Sequence, residues 1–600
     1  MRYVMTAAAI AAAMAATQTA SAEATRVAVF ELKGTLTELP AAQDDLFATG
    51  RQESCTSLTR RIRKAATDDD VAGVVILCES PQIGWAQNEE ISAALASVRD
   101  AGKPVYAHDD QITTAELAML SPASVLATSP EGSVLIPGLY GEQPYLRGLL
   151  DKIDVEPDFI ALGDYKAAGE MFMRREPSDT AAENSKWLYD SLYQSVVSAI
   201  ATGRGVDEDK ARSWIDEAVF SAGEAVEDGV LDLAVTRDGL ADRVENDLGD
   251  VEFDKSYEVP KAKSIDLSSP FGLLSFYSEL LAGPRSSKSS GPSIAIVHVN
   301  GAIQDGEPSG SPLGPLGGGS LGAYSGPIRR ALDKAADDGT VRAVVLRVDS
   351  PGGSATASEV ILQAAKRVRE KKPLIVSMGN VAASGGYYVS MAGETVFVDE
   401  KTITGSIGVV SGKVATREMW ENLGINFVPI ERGKNASLFS TMEPFTDEQE
   451  EQMLDFMRDV YGTFKGHVEA NRGDKLAKPL DELAGGRVYS GQQAIELGLA
   501  DRIGTIHDAI EAARGAAKMS EDFELRVIPR PKNFVELLMA DLAPSEDKKD
   551  GPRLSLLDLA EPVLGTLDPR RAAAVRAALE QGDVIRRNGV GLISPVFVQP

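Results

Sequence analysis

Val341-Arg-Ala-Val-Val-Leu-Arg-Val-Asp-Ser-Pro351 has a near copy earlier in the chain, Val71-Ala-Gly-Val-Val-Ile-Leu-Cys-Glu-Ser-Pro81, at an offset of 351 − 81 = 270 residues. Two further pairs keep the spacing. Lys103-Pro104-Val-Tyr corresponds to Lys372-Pro373-Leu-Ile, and Ser221-Ala-Gly-Glu-Ala-Val-Glu-Asp-Gly-Val-Leu-Asp232 to Ser490-Gly-Gln-Gln-Ala-Ile-Glu-Leu-Gly-Leu-Ala-Asp501, both at 269. Three anchors at a near-constant offset, spread over each half, mark an internal duplication in which each half is one structural unit. The quoted run also says what the unit is. Ala343 to Val348 is continuous, apolar and of strand length, and Leu374-Ile-Val376 and Thr395-Val-Phe-Val398 are two more strands. Between the first two a helix is expected, with Thr356-Ala-Ser-Glu359 as its capping box and Val360, Ile361, Ala364, Ala365 and Val368 on one face. Continuous apolar strands alternating with amphipathic helices pair in parallel and are covered on both faces. The expected fold class is therefore α/β, as two tandem units.

Working outward, each half next carries a long helical stripe: Trp187, Leu188, Leu192, Val196 and Ile200 in the first, Met453, Phe456, Met457, Val460 and Phe464 in the second. The segment ending Gly283-Pro-Arg-Ser-Ser-Lys-Ser-Ser-Gly-Pro292 has linker composition, Pro308 to Gly322 is a second Gly/Ser/Pro-rich stretch, and Phe271 to Leu281 reads as a short amphipathic helix. At the N-terminus, Arg2 precedes an apolar run from Val4 to about Ala16 and the small residues Ala20-Ser-Ala22, the pattern of a cleaved secretory signal peptide. The run is shorter than the roughly 20 residues that span a bilayer. The expected domains are a signal peptide or N-terminal anchor at 1–22, an N-terminal repeat at 23–260, a linker at 261–293, a C-terminal repeat at 294–520 and an extension at 521–600.

Composition excludes several functions. A formal charge of −28 over 600 residues repels phosphate backbones and anionic lipid headgroups, so neither nucleic acid nor an electrostatic membrane surface is an expected partner. The two cysteines, Cys55 and Cys78, cannot build a disulfide scaffold, and Cys78, after the run Val74-Val-Ile-Leu77, reads as a small buried hydrophobe. His108, His298, His467 and His507 fall into no metal-binding spacing, and no cofactor is implied.

The chemistry-bearing signals are two glycine-rich corners at strand ends in the second half, Asp349-Ser-Pro-Gly-Gly-Ser354 and Asn380-Val-Ala-Ala-Ser-Gly-Gly386. At such corners backbone N–H groups can turn toward an oxyanion and a hydroxyl can be presented at a helix start. Ser384 alone also reads as a helix N-cap. Counting 269 from the Lys-Pro anchor sets Ala115 opposite Ser384, and counting 270 sets Gln82 and Ile83 opposite Gly352 and Gly353. On that count the first half keeps the fold without the hydroxyl or the glycines. A serine nucleophile needs a base. No histidine lies near either corner, and a desolvated lysine can serve, with Lys166 in Gly163-Asp-Tyr-Lys-Ala-Ala-Gly-Glu170 and Lys434 in Arg432-Gly-Lys-Asn-Ala436 as the two candidates.

The segments Asp349-Ser-Pro-Gly-Gly353, Met378-Gly-Asn-Val-Ala-Ala-Ser-Gly-Gly-Tyr387, Thr404-Gly-Ser-Ile-Gly408 and Gly163-Asp-Tyr-Lys-Ala167, in this order-specific set from about residue 26 to the 520s, resemble the long, duplicated form of bacterial signal peptide peptidase A. That resemblance implies the Clp protease/crotonase fold in each half and a serine endopeptidase with a Ser/Lys dyad. It implies Ser384 as nucleophile, Lys166 from the other half as general base, Ser406 orienting the lysine, and Gly352 or Gly353 in the oxyanion hole. It further implies cleaved signal peptides and other apolar peptides as substrates, a homotetramer, and a place in the periplasm or at the periplasmic face of the inner membrane. A crotonase-like acyl-CoA enzyme and a non-catalytic scaffold are the competing expectations.

Overall fold

The computed structural model describes residues 25–40, 53–259, 291–308, 322–531, 569–588 and 590–594. The expected signal peptide, the helix at 271–281 and most of both Gly/Ser/Pro-rich stretches lie outside the described residues.

The first half begins with β1 (Thr25–Thr35), α1 (Cys55–Thr67), β2 (Val71–Gln82), α2 (Trp85–Asp100) and β3 (Val105–Asp109). It continues with β4 (Gln111–Thr113), α3 (Thr114–Leu120), β5 (Val125–Thr128), β6 (Ser133–Leu135), β7 (Glu156–Leu162), α4 (Asp179–Arg204), β8 (Val219–Ser221), β9 (Leu233–Ala234) and β10 (Val251–Asp254). Its main sheet has the order β10-β1-β2-β3-β5-β9, and every neighbouring pair is parallel. A separate three-stranded sheet, β4-β6-β8, stands at its end.

The second half begins with β11 (Ser293–Asn300), β12 (Ile303–Gln304), β13 (Ala323–Tyr324), α5 (Ser325–Asp337), β14 (Val341–Ser350), β15 (Gly352–Ser354), α6 (Ala355–Arg369) and β16 (Leu374–Ala383). Then come α7 (Gly385–Ser390), β17 (Thr395–Val398), β18 (Ile403–Gly405), β19 (Val409–Ala415), α8 (Asp447–Arg472), β20 (Val488–Ser490), β21 (Arg502–Ile503) and α9 (Ile506–Ala516). The parallel order β22-β11-β14-β16-β17-β21, with β22 at Glu524–Val527, repeats that of the first half. Here β16 is one long strand: its lower part pairs with β17 and its upper part, Val381–Ala383, with β18, which pairs in turn with β20. The chain is thus two tandem α/β units, as the alternating pattern requires. The three quoted strands are β14, the start of β16 and β17.

Two readings shift. Helix α6 is capped two residues earlier than expected, by the Ser354 hydroxyl accepting from the Ala357 N–H, while Glu359 accepts from the Tyr388 hydroxyl instead of closing a capping box. Cys55 and Cys78 are both buried free thiols. The long helices bury Leu188, Leu192, Val196 and Ile200 in α4 and Met453, Met457 and Phe464 in α8, whereas Phe456 is exposed.

The halves are fused along a seam. Arg347 of β14 is buried between two first-half carboxylates, Glu38 at 3.0 Å and Glu90 at 2.9 Å. Helix α4 lies on β20, where the Asn184 carboxamide donates to the Val488 carbonyl and accepts its N–H, both at 2.9 Å. A fourth sheet, β13-β12-β15-β23-β19-β7, mixes the halves: β7 of the first pairs antiparallel with β19 of the second from Leu162↔Val409 to Glu156↔Ala415. Its fourth strand, β23 (Val590–Ile593), follows α10 (Pro569–Asn588), so the extension after 521 is built into the second-half framework through both β22 and β23.

Candidate active site

Strand β16 ends at Ala383, and the next residue breaks regular geometry. Ser384 has φ +53° and ψ −110°, a conformation that costs a non-glycine residue about 1–3 kcal/mol. It is held there by its N–H donating to the Gly405 carbonyl and its own carbonyl accepting from the Tyr388 N–H, both at 2.8 Å. Ser384 occupies the N-cap position of α7, yet its hydroxyl makes no capping bond and is free for other work. Across from it, Ser406 leaves β18 with φ +52° and donates its N–H to the Arg487 carbonyl.

The amine comes from the other half. Past β7 the chain turns through Gly163 and docks on Gly485-Gly486: the Tyr165 N–H donates to the Gly485 carbonyl at 2.9 Å, and the Arg487 guanidinium lies 3.6 Å over the Tyr165 ring. Gly486, at φ +88°, is a glycine by necessity, since a Cβ there would sit 2.5 Å from the Lys166 Cα. Pinned in this way, Lys166 places Nζ 2.8 Å from Ser384 Oγ and 3.0 Å from both the carbonyl oxygen and the Oγ of Ser406. Lys166 is 3% exposed and both serines are fully buried. Burial alone, with no carboxylate opposing it, pushes the Lys166 ammonium well below the ordinary lysine range. A neutral amine that donates to the Ser406 carbonyl keeps a lone pair for the Ser384 hydroxyl proton.

Gly352, at φ +97°, forms the opposite wall. A Cβ on it would overlap the Leu592 carbonyl oxygen and come within 2.6 Å of the Gly385 amide nitrogen, so backbone from three directions meets there. The Gly352 N–H donates to Ser350 Oγ at 3.1 Å, and Gly353 sits in the sheet between Ile303 and Leu592. The amide that faces this corner from beside the serine is that of Gly385, the first residue of α7. Sequence reasoning passed over it, although it directly follows Ser384. It also passed over Gly485-Gly486, which a comparison with Asp216-Glu217 at the corresponding place in the first half could have flagged. Lys434 stands apart, on the surface and paired with Glu448.

The first-half counterpart of Ser384 is Thr114, not Ala115. Strand pairing gives Thr113↔Leu135 in one half and Ala383↔Gly405 in the other, an offset of 383 − 113 = 270. One extra residue between β3 and its continuation, Gly379-Asn380 against Asp110, shifts the count from 269. The first half therefore has a hydroxyl at this corner, but the Gly138 N–H donates to it at 3.1 Å, and Ile136 takes the place of Ser406.

Known proteins resemble the chain in both halves. The model of peptidase family S49 matches residues 97–251 and 366–520, once in each half. The chain is 27% identical to the chloroplastic serine protease SPPA of Arabidopsis thaliana, covering 84% of this chain and 72% of that one. It is 30% identical to protease 4 of Haemophilus influenzae, covering 79% and 74%. Among solved structures, a membrane-bound stomatin-specific protease with a bound substrate peptide superposes with a TM-score of 0.23 at 12% identity, over 42% of this chain and 99% of that one.

Proposed function

Since the chain belongs to peptidase family S49 and is a serine protease, we propose that Ser384 is its nucleophile and Lys166 its general base, a Ser/Lys dyad shared between the two halves. The observation that carries this is the 2.8 Å approach of Lys166 Nζ to Ser384 Oγ in a buried, carboxylate-free setting. The hydroxyl attacks a peptide carbonyl while Lys166 takes its proton, and the amine then returns that proton to the departing peptide nitrogen. Water, deprotonated by the same lysine, resolves the acyl-enzyme. Ser406 orients the amine through its carbonyl and hydroxyl. The developing oxyanion is held at the Gly352 corner by backbone amides, with Gly352 and Gly353 joined by Gly385.

Substrates in this reading are cleaved signal peptides and other apolar peptides, met after export, in the periplasm or at the periplasmic face of the membrane. Among the described residues no helix is long and apolar enough to cross a membrane. Self-association as a homotetramer belongs to the same reading. It is supported by an exposed apolar segment of the second half, Phe427, Val428, Ile430 and Phe439.

The test is hydrolysis of a fluorogenic apolar peptide by the protein from Glu23 onward and by its Ser384→Ala variant. Cleavage by the first and not the second is expected. Equal cleavage by both, or none by either across several apolar peptides, overturns the assignment.

A further inference from the structure

The sheet that mixes the halves contains a slot. Strands β15 and β19 do not pair with each other; each presents an edge to the one strand between them, β23. Neighbouring strands lie about 4.8 Å apart, so the gap admits a single extended peptide, which such edges bind by adding it to the sheet. One edge is the glycine corner beside Ser384. The other belongs to the strand that anchors β7 and, through it, the Lys166 loop.

The chain fills this slot with itself. Strand β23 runs antiparallel to both edges, with Gly591 opposite Ser354 and Val410, Leu592 opposite Gly353, and Ile593 opposite Gly352. The strand therefore advances toward the Ser384 corner, where the Leu592 carbonyl oxygen meets Gly352 and the Ser594 N–H donates to the Pro351 carbonyl at 2.8 Å. Its sequence, Val590-Gly-Leu-Ile593, is uncharged and apolar, and side chains of successive residues enter opposite walls. Ile593 packs on Ala168 and Val410, and Leu592 joins the main second-half core. Helix α10 ties the strand down by burying Ala578 and Leu579 against Leu146, Leu150 and Phe172 of the first half. With β23 in place, Ser384 and Lys166 are closed to solvent.

We propose that Val590–Ser594 is a resident occupant of the peptide-binding groove, lying where a substrate strand must lie, so that an extended apolar peptide binds only by displacing it. This rests on Ser384 being the nucleophile, and it identifies the ligand of the groove as an uncharged peptide strand carrying a branched apolar side chain on each face. A tethered strand competes at an effective concentration set by its linker, and the apparent affinity for a free peptide falls by the fraction of molecules whose groove is open.

The test separates binding from cleavage. A fluorescein-labelled peptide containing Val-Gly-Leu-Ile-Ser is titrated by anisotropy into three proteins, each carrying Ser384→Ala: the full chain, the full chain with Leu592→Asp and Ile593→Asp, and a chain ending at Asn588. Both altered proteins are expected to bind at least ten-fold more tightly than the first. The shortened chain guards against misfolding caused by the introduced charges. Affinities equal within two-fold in all three overturn the proposal and leave β23 a permanent edge of the sheet. Tighter binding by the altered proteins, combined with a Ser384-intact protein that cleaves nothing, upholds the groove and removes the nucleophile assignment instead.

Discussion

Thr114 and Ser384 stand at the same strand-to-helix corner of two copies of one fold, yet only one of them faces an amine. Thr114 is outside the left-handed region and its oxygen accepts the Gly138 N–H, a partner that quiets it. Ser384 is left-handed, uncapped and 2.8 Å from an amine. The difference extends to the surroundings. Where the second half has the Lys166 loop seated on Gly485-Gly486, the first half has an open cavity of about 440 Å³ lined by Gly138, Leu139, Tyr189, Ile215 and Asp216. A hydroxyl at a helix start is common; a hydroxyl, a left-handed backbone and a buried lysine together are not. The duplicated fold supplies the corner, and an arm reaching across from the neighbouring unit supplies the amine.

The sharpest way to break this comparison is to remove the amine. Lys166→Met is expected to lower kcat/KM at least 10³-fold, as is Ser384→Ala. The double variant should be hardly worse than either, because the two act as one unit. Lys434→Met should stay within two-fold of the parent, and an equal loss there would reassign the base. The same Lys166→Met protein should be more stable at pH 7 by about 1–3 kcal/mol, since a buried amine that must give up its proton is a burden to the fold. Because the folded-state pKa is lowered, the unfolded chain binds more protons between that value and the ordinary lysine pKa, so the burden shrinks as pH rises through this window. Chemical denaturation of both proteins at pH 7 and above pH 10.5 checks the sign. By the same cause, kcat/KM of the parent should rise with pH as the amine becomes neutral.

Next in size is the seam. Arg347→Met leaves Glu38 and Glu90 buried without their cation and should cost about 3–5 kcal/mol in urea unfolding. Independent halves would instead unfold in two transitions, with Glu38 and Glu90 relieved by water. Gly486→Val is subtler: the side chain pushes on Lys166 while the fold persists, and kcat should fall about 10–100-fold with far-UV dichroism unchanged. Smallest is Thr114→Ala. Removing the Gly138 partner should cost about 1 kcal/mol of stability and leave activity intact. Lost activity in that variant would mean that the first half's corner has a chemical role of its own.

Much of this was legible in the residues. Repeated strand anchors gave the two α/β units because their apolar runs recur at a fixed spacing, and the motifs around Ser384, Ser406 and Lys166 name the three groups that meet. What stayed hidden has physical reasons. A single extra residue in the second half, Gly379-Asn380 where the first half has only Asp110, moves the register by one, which is why counting pointed to Ala115 while strand pairing selects Thr114. Cap choice at α6 depends on where β15 ends, so Ser354 outcompetes Thr356. The seating of Lys166 on Gly485-Gly486 and the insertion of β23 join segments hundreds of residues apart, and no local periodicity records such pairings. Nor does composition reveal that Gly352 donates to Ser350 and that the Gly385 amide meets the same corner.

The separation of amine and hydroxyl along the chain also sets a clock. Lys166 and Ser384 lie 218 residues apart in sequence. At synthesis rates of about 5–20 residues per second, the lysine emerges roughly 10–40 s before the serine. Throughout that interval the growing polypeptide carries the amine without the hydroxyl it will face. The seat for the amine, Gly485-Gly486, emerges later still. On the proposed dyad, a protease assembled in this order stays unarmed until its second half has closed around its first.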